Sequence, residues 1–399
     1  MKFLRTYRKS IKLELLTSIL LVISTISALF MYNSYLKDTY VYIFEKIYIK
    51  EGFSLHMFIN DFLMSIFFLV AALEIKHEIL HGNLSSLKKA SFPFIASLGG
   101  VIIPALIFIL INKNTPFLSG FCIPISTDIA FAIGVFLIFA KKMNPSLKIF
   151  LLSLAVIDDL VSILAIGIVY SLDVNIIYLS IAFLITFILI VANKIFKINS
   201  TTYYLLAGIC LWYFIYLSGV HCTISGILLA ITIPTSKSNG MSTLERLQKM
   251  LVPFNSLVII PLFAFANTGI SIIYNVDTVG ANTLIYGIIL GLCVGKPLGI
   301  MLFSFIACKL KITEKPKNIS WAAVFLVSLI AGIGFTMSIF VSEIAFSDNI
   351  TFIIIAKMSI LLSSCLSIIS SVIVITLFDI GLRLKRHNKT SIINKYYIS

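Results

Sequence analysis

Four ionisable side chains sit inside apolar runs of this chain, and their types and depths suggest ion and proton chemistry. Asp158 and Asp159 are adjacent in the stretch LAVIDDL, the eighth and ninth of twenty residues from Leu151 to Tyr170. Asp128 follows Ser126 and Thr127 in the middle of GFCIPISTDIAFAIGVFLIFA, and Lys296 is the thirteenth of twenty-five residues from Leu284 to Cys308. A charge near a bilayer centre costs about 2.5 to 3.5 kcal/mol on insertion scales, so each is a functional candidate by default. Neighbours on a helix point about 100° apart, so Asp158 and Asp159 cannot form one chelating face. One of them is expected to line a cavity and the other to meet a neighbouring helix, where a lysine at the same depth is the natural counter-charge. Burial disfavours the charged form of carboxylate and amine alike, which lets both exchange protons. A hard cation takes oxygen ligands. Asp159, Asp128 and Thr127 can thus hold a small monovalent ion, and the same carboxylates can hold protons. Competition between the two at a site that opens alternately to each side is antiport.

The elements that position these residues follow from composition. Of 399 residues, 59% are hydrophobic and 12% charged, against about 25% charged in a soluble domain. Apolar runs long enough to cross a ~30 Å hydrocarbon core recur from end to end, which makes an all-α polytopic membrane protein and excludes a soluble globular one. About twelve spans are predicted: 13–31, 58–75, 93–111, 120–140, 149–170, 175–193, 202–218, 221–234, 252–272, 284–308, 321–345 and 352–380. No polar stretch is long enough for a second domain, so residues 1–399 read as one membrane domain. The first run is longer than a signal-peptide core and lacks a cleavage site, so it reads as a retained helix. The formal charge of +14 raises the question of a nucleic-acid partner, and the placement of the bases answers it. Of 31 Lys and Arg, 25 lie in the two termini and the even-numbered loops, 4 lie in the odd-numbered loops, and Lys296 and Lys357 lie within spans. This puts both termini, including the tail 382–399, in the cytoplasm and assigns the charge to topology and contact with anionic membrane lipids, not nucleic acid. The six cysteines are scattered singly, with no disulfide or zinc spacing, and no cofactor is implied.

Two spans are interrupted. The fourth carries Pro124 before Ser126, Thr127 and Asp128, and the eleventh carries Gly332 and Gly334 before Thr336. Proline removes a backbone donor and glycine lowers the cost of leaving helical geometry. Unwound backbone survives at membrane depth only where it is buried in protein or lines a cavity. A proline kink and a glycine packing face are the plain alternative for either span alone, but one break in each half of the chain points to a central transport site.

At this point the residues resemble the bacterial NhaA family of sodium/proton antiporters. The matching stretches are INDFLMSIFFLVAALEIKHEIL from Ile59, PISTDIAFAIGV from Pro124, AVIDDLVSILAI from Ala155, SGVHCTISGI from Ser218, IIPLFAFANTGI from Ile259, GKPLGI from Gly295 and GIGFTMSIFVS from Gly332. They run in family order over nearly the whole chain. Paired interrupted helices are themselves a trait of that family, so they do not support the resemblance independently. The resemblance implies twelve helices with discontinuous fourth and eleventh, and an inverted repeat relating helices three to five with ten to twelve. It implies electrogenic exchange of Na+ or Li+ for a larger number of H+ across a bacterial inner membrane. Residue by residue it makes Asp159 the principal ion ligand, Asp158 its partner paired with Lys296, and Thr127 and Asp128 the polar pair of the broken fourth helix. Which of Asp158 and Lys296 carries a second proton stays open.

The family is pH-regulated, and the resemblance matches Glu74 and Glu78, four residues apart on one helical face, and His221 to positions implicated in that control. Two departures touch it: His77 stands where the family commonly has arginine, and Gln248 where it has a glutamate, with Glu245 three residues away as a substitute on an adjacent turn. Residues 32–57 contain the alternating YVYIFEKIYIK, which fits a short strand pair outside the membrane, and the resemblance implies a periplasmic hairpin that joins two copies into a homodimer. Two rivals use similar residues. An intramembrane aspartyl protease needs two aspartates sharing a proton, but its YD and GxGD signatures are absent. A cation channel has no use for a mid-membrane lysine, which raises the barrier to passage.

Overall fold

The computed structural model describes residues 2–50, 52–82, 85–139, 145–170, 174–238, 240–271, 281–316 and 319–396. Helices account for nearly all of it. They are α1 (Lys2–Tyr32), α2 (Lys37–Val41), α3 (Met64–His81), α4 (Leu87–Asn112), α5 (Ile129–Phe139), α6 (Pro145–Val169), α7 (Ile176–Lys194) and α8 (Thr201–Leu217). The series continues with α9 (Ile224–Thr232), α10 (Thr243–Phe254), α11 (Ile260–Asn267), α12 (Ala281–Leu290), α13 (Lys296–Lys309), α14 (Trp321–Ala331), α15 (Phe335–Ala345) and α16 (Ile350–Tyr396). Short π-helical turns carry α10 into α11 and α12 into α13, so each of those pairs is one continuous rod.

Among the described residues eight helices are long and apolar enough to cross a membrane, and two bent pairs bring the number to ten. This is a multi-pass membrane protein. The expected spans 202–218 and 221–234 correspond to the shorter helices α8 and α9. Helix starts follow local chemistry. Ser200, Asn175 and Ser320 cap α8, α7 and α14 by accepting backbone N–H bonds in the first turn, which satisfies donors that no earlier carbonyl can reach.

The two bent pairs lie where proline and glycine interrupt the runs. A 3-10 helix, Pro116–Ile125, meets α5 at 42° across Ser126, Thr127 and Asp128, and α14 meets α15 at 46° across Gly332, Ile333 and Gly334. They are packed side by side within the larger of two buried apolar clusters, which also takes in α4, α6, α12, α13 and α16. A second cluster lies among α3, α7, α8, α9 and α10.

Helices α4 and α13 cross at their backbones. A Cβ on Gly99 would meet the Gly299 carbonyl, and a Cβ on Gly299 the Gly99 carbonyl. Because each obstacle is backbone, no rotamer change relieves it, and the crossing lies one turn from Lys296. Gly299→Val is expected to cost about 1–3 kcal/mol through overpacking, seen as a lower melting temperature of the purified protein. An unchanged melting temperature would show that the two helices separate freely.

The segment 32–57 departs from its expected form. Backbone from Lys37 through Lys46 is helical, and strand pairing is confined to β1 (Tyr48–Lys50) against β2 (Phe53–Ser54), with Tyr48 opposite Ser54. Helical geometry brings Tyr40 and Phe44 onto one face, 4.9 Å apart by ring centroid, and both rings reach Phe265 at 5.6 and 5.8 Å. In a strand the two residues would stand about 13 Å apart and could not share that ring. The Tyr40 hydroxyl also lies within hydrogen-bond distance of the Phe265 and Ala266 carbonyls, at 2.5 and 2.9 Å, and donates to one of them at a time. At the other end of the chain the backbone of α16 runs on through most of the expected tail 382–399, whose last three residues lie outside the described residues.

Candidate functional site

The breaks leave four helix ends in the interior, and each end is met by a polar side chain. Asp128 precedes α5 and accepts the Phe131 N–H at Oδ1, 2.9 Å, as an N-cap residue does. Its Oδ2 accepts the Thr336 N–H at 3.1 Å and the Thr336 hydroxyl at 2.5 Å, in the first turn of α15. One carboxylate therefore caps both half-helices whose positive ends converge on it. The Asp128 N–H donates to Ile333 O at 2.8 Å and locks the two breaks together.

The opposite, carbonyl-rich ends are met by Lys296 and Thr127. The Lys296 ammonium donates to Ile125 O, the last residue of the 3-10 helix, at 2.5 Å and to Thr127 Oγ1 at 2.6 Å. It lies 3.2 Å from Asp158 Oδ2, with both side chains fully buried. Thr127 Oγ1 lies 3.0 Å from both Asp158 Oδ2 and Ala331 O, the last residue of α14. A hydroxyl has one proton, so Thr127 donates to one of these at a time. Asp158 Oδ1 accepts from the Ser97 hydroxyl of α4 at 2.6 Å. Two hydroxyl donors and one cation thus surround Asp158, so its charge is compensated within the protein.

Asp159 is its opposite. It is fully buried, one residue further round α6, and neither carboxylate oxygen has a hydrogen-bond partner. The charged groups acting on it are Asp158, Lys296, Asp128 and Glu74, three of the four acidic. Orphaned carboxylate oxygens at this depth are tolerated only if something else takes them, a proton or a cation. The sequence reading placed Asp128 and Thr127 beside Asp159 as ligands; in this state neither is hydrogen-bonded to it. Their oxygens are turned to the half-helix ends and to Lys296, because four interior helix ends present polar backbone that has to be satisfied.

The residues matched to pH control are spread out. Glu74, on α3, lines a cavity of about 190 Å³ that Asp128 and Thr336 also line. Glu78 lies one turn on, and the intervening Lys76 turns away to donate to the carbonyls of Ala230, Ile231 and Ile233 at the end of α9, at 2.9, 2.7 and 2.7 Å. His221 precedes α9 with its ring 5.7 Å from Phe340 and its Nδ1 buried without a partner. Glu245 closes a capping box with Ser242 at the start of α10, each accepting the other's N–H at 3.1 Å.

Sequence reasoning missed Ser97, because one serine in an apolar helix carries no signal until its partner is known. It also left Lys357 unassigned. That ammonium pairs with Glu343 between α15 and α16. Among the described residues no group of three or more His, Cys, Asp and Glu side chains converges as a metal centre would.

Comparison with known proteins adds to the geometry. A protein-family model described as Na+/H+ antiporter 1 matches residues 8–375. The chain is 40% identical, over 428 aligned positions, to a Helicobacter pylori protein named Na(+)/H(+) antiporter NhaA, covering 96% of this chain and 97% of that one. It is 41% identical to the Aliarcobacter butzleri protein named Na(+)/H(+) antiporter NhaA 2, covering 91% and 94%. It is 42% identical to a Pelagibacter ubique protein named Na(+)/H(+) antiporter NhaA, covering 89% and 93%.

Proposed function

Because this chain belongs to the Na+/H+ antiporter 1 family, we propose that it is an electrogenic antiporter that exports Na+, and Li+ in its place, in exchange for H+ by alternating access at Asp159. The family are transporters, so no enzymatic step is involved. The observation that carries the reading is the contrast between the adjacent aspartates. Asp158 is satisfied by Ser97, Thr127 and Lys296, whereas Asp159 has no partner at all.

A carboxylate in that position binds either a cation or a proton, and the two compete for the same oxygens. Asp128 and Thr127 join Asp159 around the ion when their bonds to the half-helix ends are exchanged, which is the movement that opens one side and closes the other. The Asp158–Lys296 pair supplies a second group able to take up a proton, so a cycle moves more H+ than Na+ and carries net charge. The twelve-helix reading counts the eight continuous spans, the two broken pairs taken as discontinuous fourth and eleventh helices, and α8 and α9. On that count, with basic residues inside, both termini lie in the cytoplasm and the protein sits as one domain in the inner membrane. The segment 32–57 then lies in the periplasm, where its exposed Tyr42, Tyr48 and Ile49 suit pairing with a second copy. Glu74, Glu78 and His221 lie on the route by which pH reaches the site.

The rival readings fit less well. A protease dyad would place Asp128 and Asp159 in hydrogen-bond contact, but Asp159 is without a partner. A pore would not place a buried ammonium on the path. Everted vesicles loaded with a pH-sensitive dye and acidified inside are expected to alkalinise on addition of Na+. Current without obligatory proton movement would make the protein a channel, and no response to Na+ or Li+ would remove the proposal.

A further inference from the structure

The cavity beside Asp128 contains oxygens that the exchange step at Asp159 leaves unused. Its walls come from α1, α3 and the α10–α11 rod, with the broken helices as floor, and the polar residues lining it are Glu14, Thr17, Glu74, Asn255, Ser256, Asp128 and Thr336. No basic residue is among the described residues that line it. Asn255 is 7% exposed, and its amide oxygen is buried with no hydrogen-bond partner. Buried amide oxygens are almost always paired, so this one calls for a donor or a cation. The charged groups acting on Glu74 are Glu14 and Glu78, both carboxylates. The bases nearby are already engaged, Lys148 by Glu14 at 2.6 Å and Lys76 by the α9 carbonyls. The cavity thus combines the Glu74 and Asp128 carboxylates, an amide oxygen without a partner and a volume of about 190 Å³, room for a small cation that keeps part of its water shell.

We propose that this cavity is a second, weaker binding site for the transported monovalent cation, held partly hydrated by the Asn255 amide oxygen and the Glu74 carboxylate, from which it passes to Asp159. The inference rests on the antiport reading only for the direction of transfer. The site itself is a matter of oxygen chemistry. An ion waiting there neutralises Glu74 and sheds its remaining water as it reaches the oxygens of Asp128 and Asp159.

The binding test uses the purified Asp159→Asn protein and Na+ alone, so it does not depend on exchange. Millimolar Na+ is expected to raise its melting temperature, relative to the same concentration of choline, and adding Asn255→Leu is expected to remove that rise. The transport test uses otherwise wild-type protein in proteoliposomes. Losing an ion–amide contact is expected to raise the KM for Na+ about tenfold in Asn255→Leu, and Asn255→Asp, which places a carboxylate at the same point, is expected to lower it. The Asp variant guards against damage to the fold, since a structural role for Asn255 would make both substitutions harmful. The site is overturned if Na+ fails to shift the Asp159→Asn protein, if the shift survives Asn255→Leu, or if both Asn255 variants raise KM alike. A wild-type protein that exchanges nothing, together with an Asn255-dependent shift, would overturn the antiport reading and leave the site standing.

Discussion

Vesicles carrying the Asp159→Asn protein will show no Na+-dependent proton movement, while the purified variant will melt at the same temperature as the parent or above it. Both halves follow from one fact: the Asp159 oxygens have no partner within the protein. Asparagine keeps the shape but carries no charge and does not take up or release a proton by ionising. The ion loses its charged ligand, a loss of at least about 3 kcal/mol and so a factor of about a hundred or more in affinity. Removing a buried, uncompensated carboxylate costs the fold nothing and relieves its repulsion with Asp158 and Asp128. Near-normal exchange in this variant would sink the site assignment. A collapse in melting temperature would show that Asp159 holds the fold together through contacts that the structure does not contain.

Lys296→Met is expected to have the largest effect on stability. The ammonium is fully buried and holds Asp158, Thr127 and the end of the 3-10 helix at once. Its loss leaves Asp158 buried with two hydroxyl donors and no cation, at a cost of about 3–5 kcal/mol. Removing the charge on the other side as well, in Asp158→Asn with Lys296→Met, is expected to restore most of that stability, because the penalty comes from the lone charge and not from absence of the pair. Melting temperatures of the two single variants and the double variant form a cycle that checks this. Strict additivity would show that the pair is not coupled. The two predictions separate the adjacent aspartates by experiment, one silent for stability and decisive for transport, the other decisive for stability.

Much of the architecture was legible in the sequence because the bilayer imposes a plain rule: apolar runs long enough to cross it are helices, and charges within them are rare enough to count. That rule picked out Asp128, Asp158, Asp159 and Lys296, and proline and paired glycine marked both breaks. The prediction failed where periodicity was ambiguous. Tyr40 and Phe44 alternate as in a strand, yet a single distant ring, Phe265, holds them on a helix. Glu245, offered through the resemblance as a substitute for the glutamate missing at Gln248, shows its capping bond to Ser242 only with the start of α10 in place.

What the sequence determined by itself was which side chains carry charge into the membrane and where helical backbone must fail, since both follow from local composition and the cost of burying polar groups. Only the tertiary structure decided how those charges are shared. Helices α4, α5, α6, α13 and α15 come from distant parts of the chain, and their packing brings Ser97, Thr127 and Lys296 onto Asp158, Asp128 onto two helix ends, and nothing onto Asp159. A carboxylate's availability to an ion is a property of its neighbours across the fold, so no reading of LAVIDDL alone could have told one aspartate from the other.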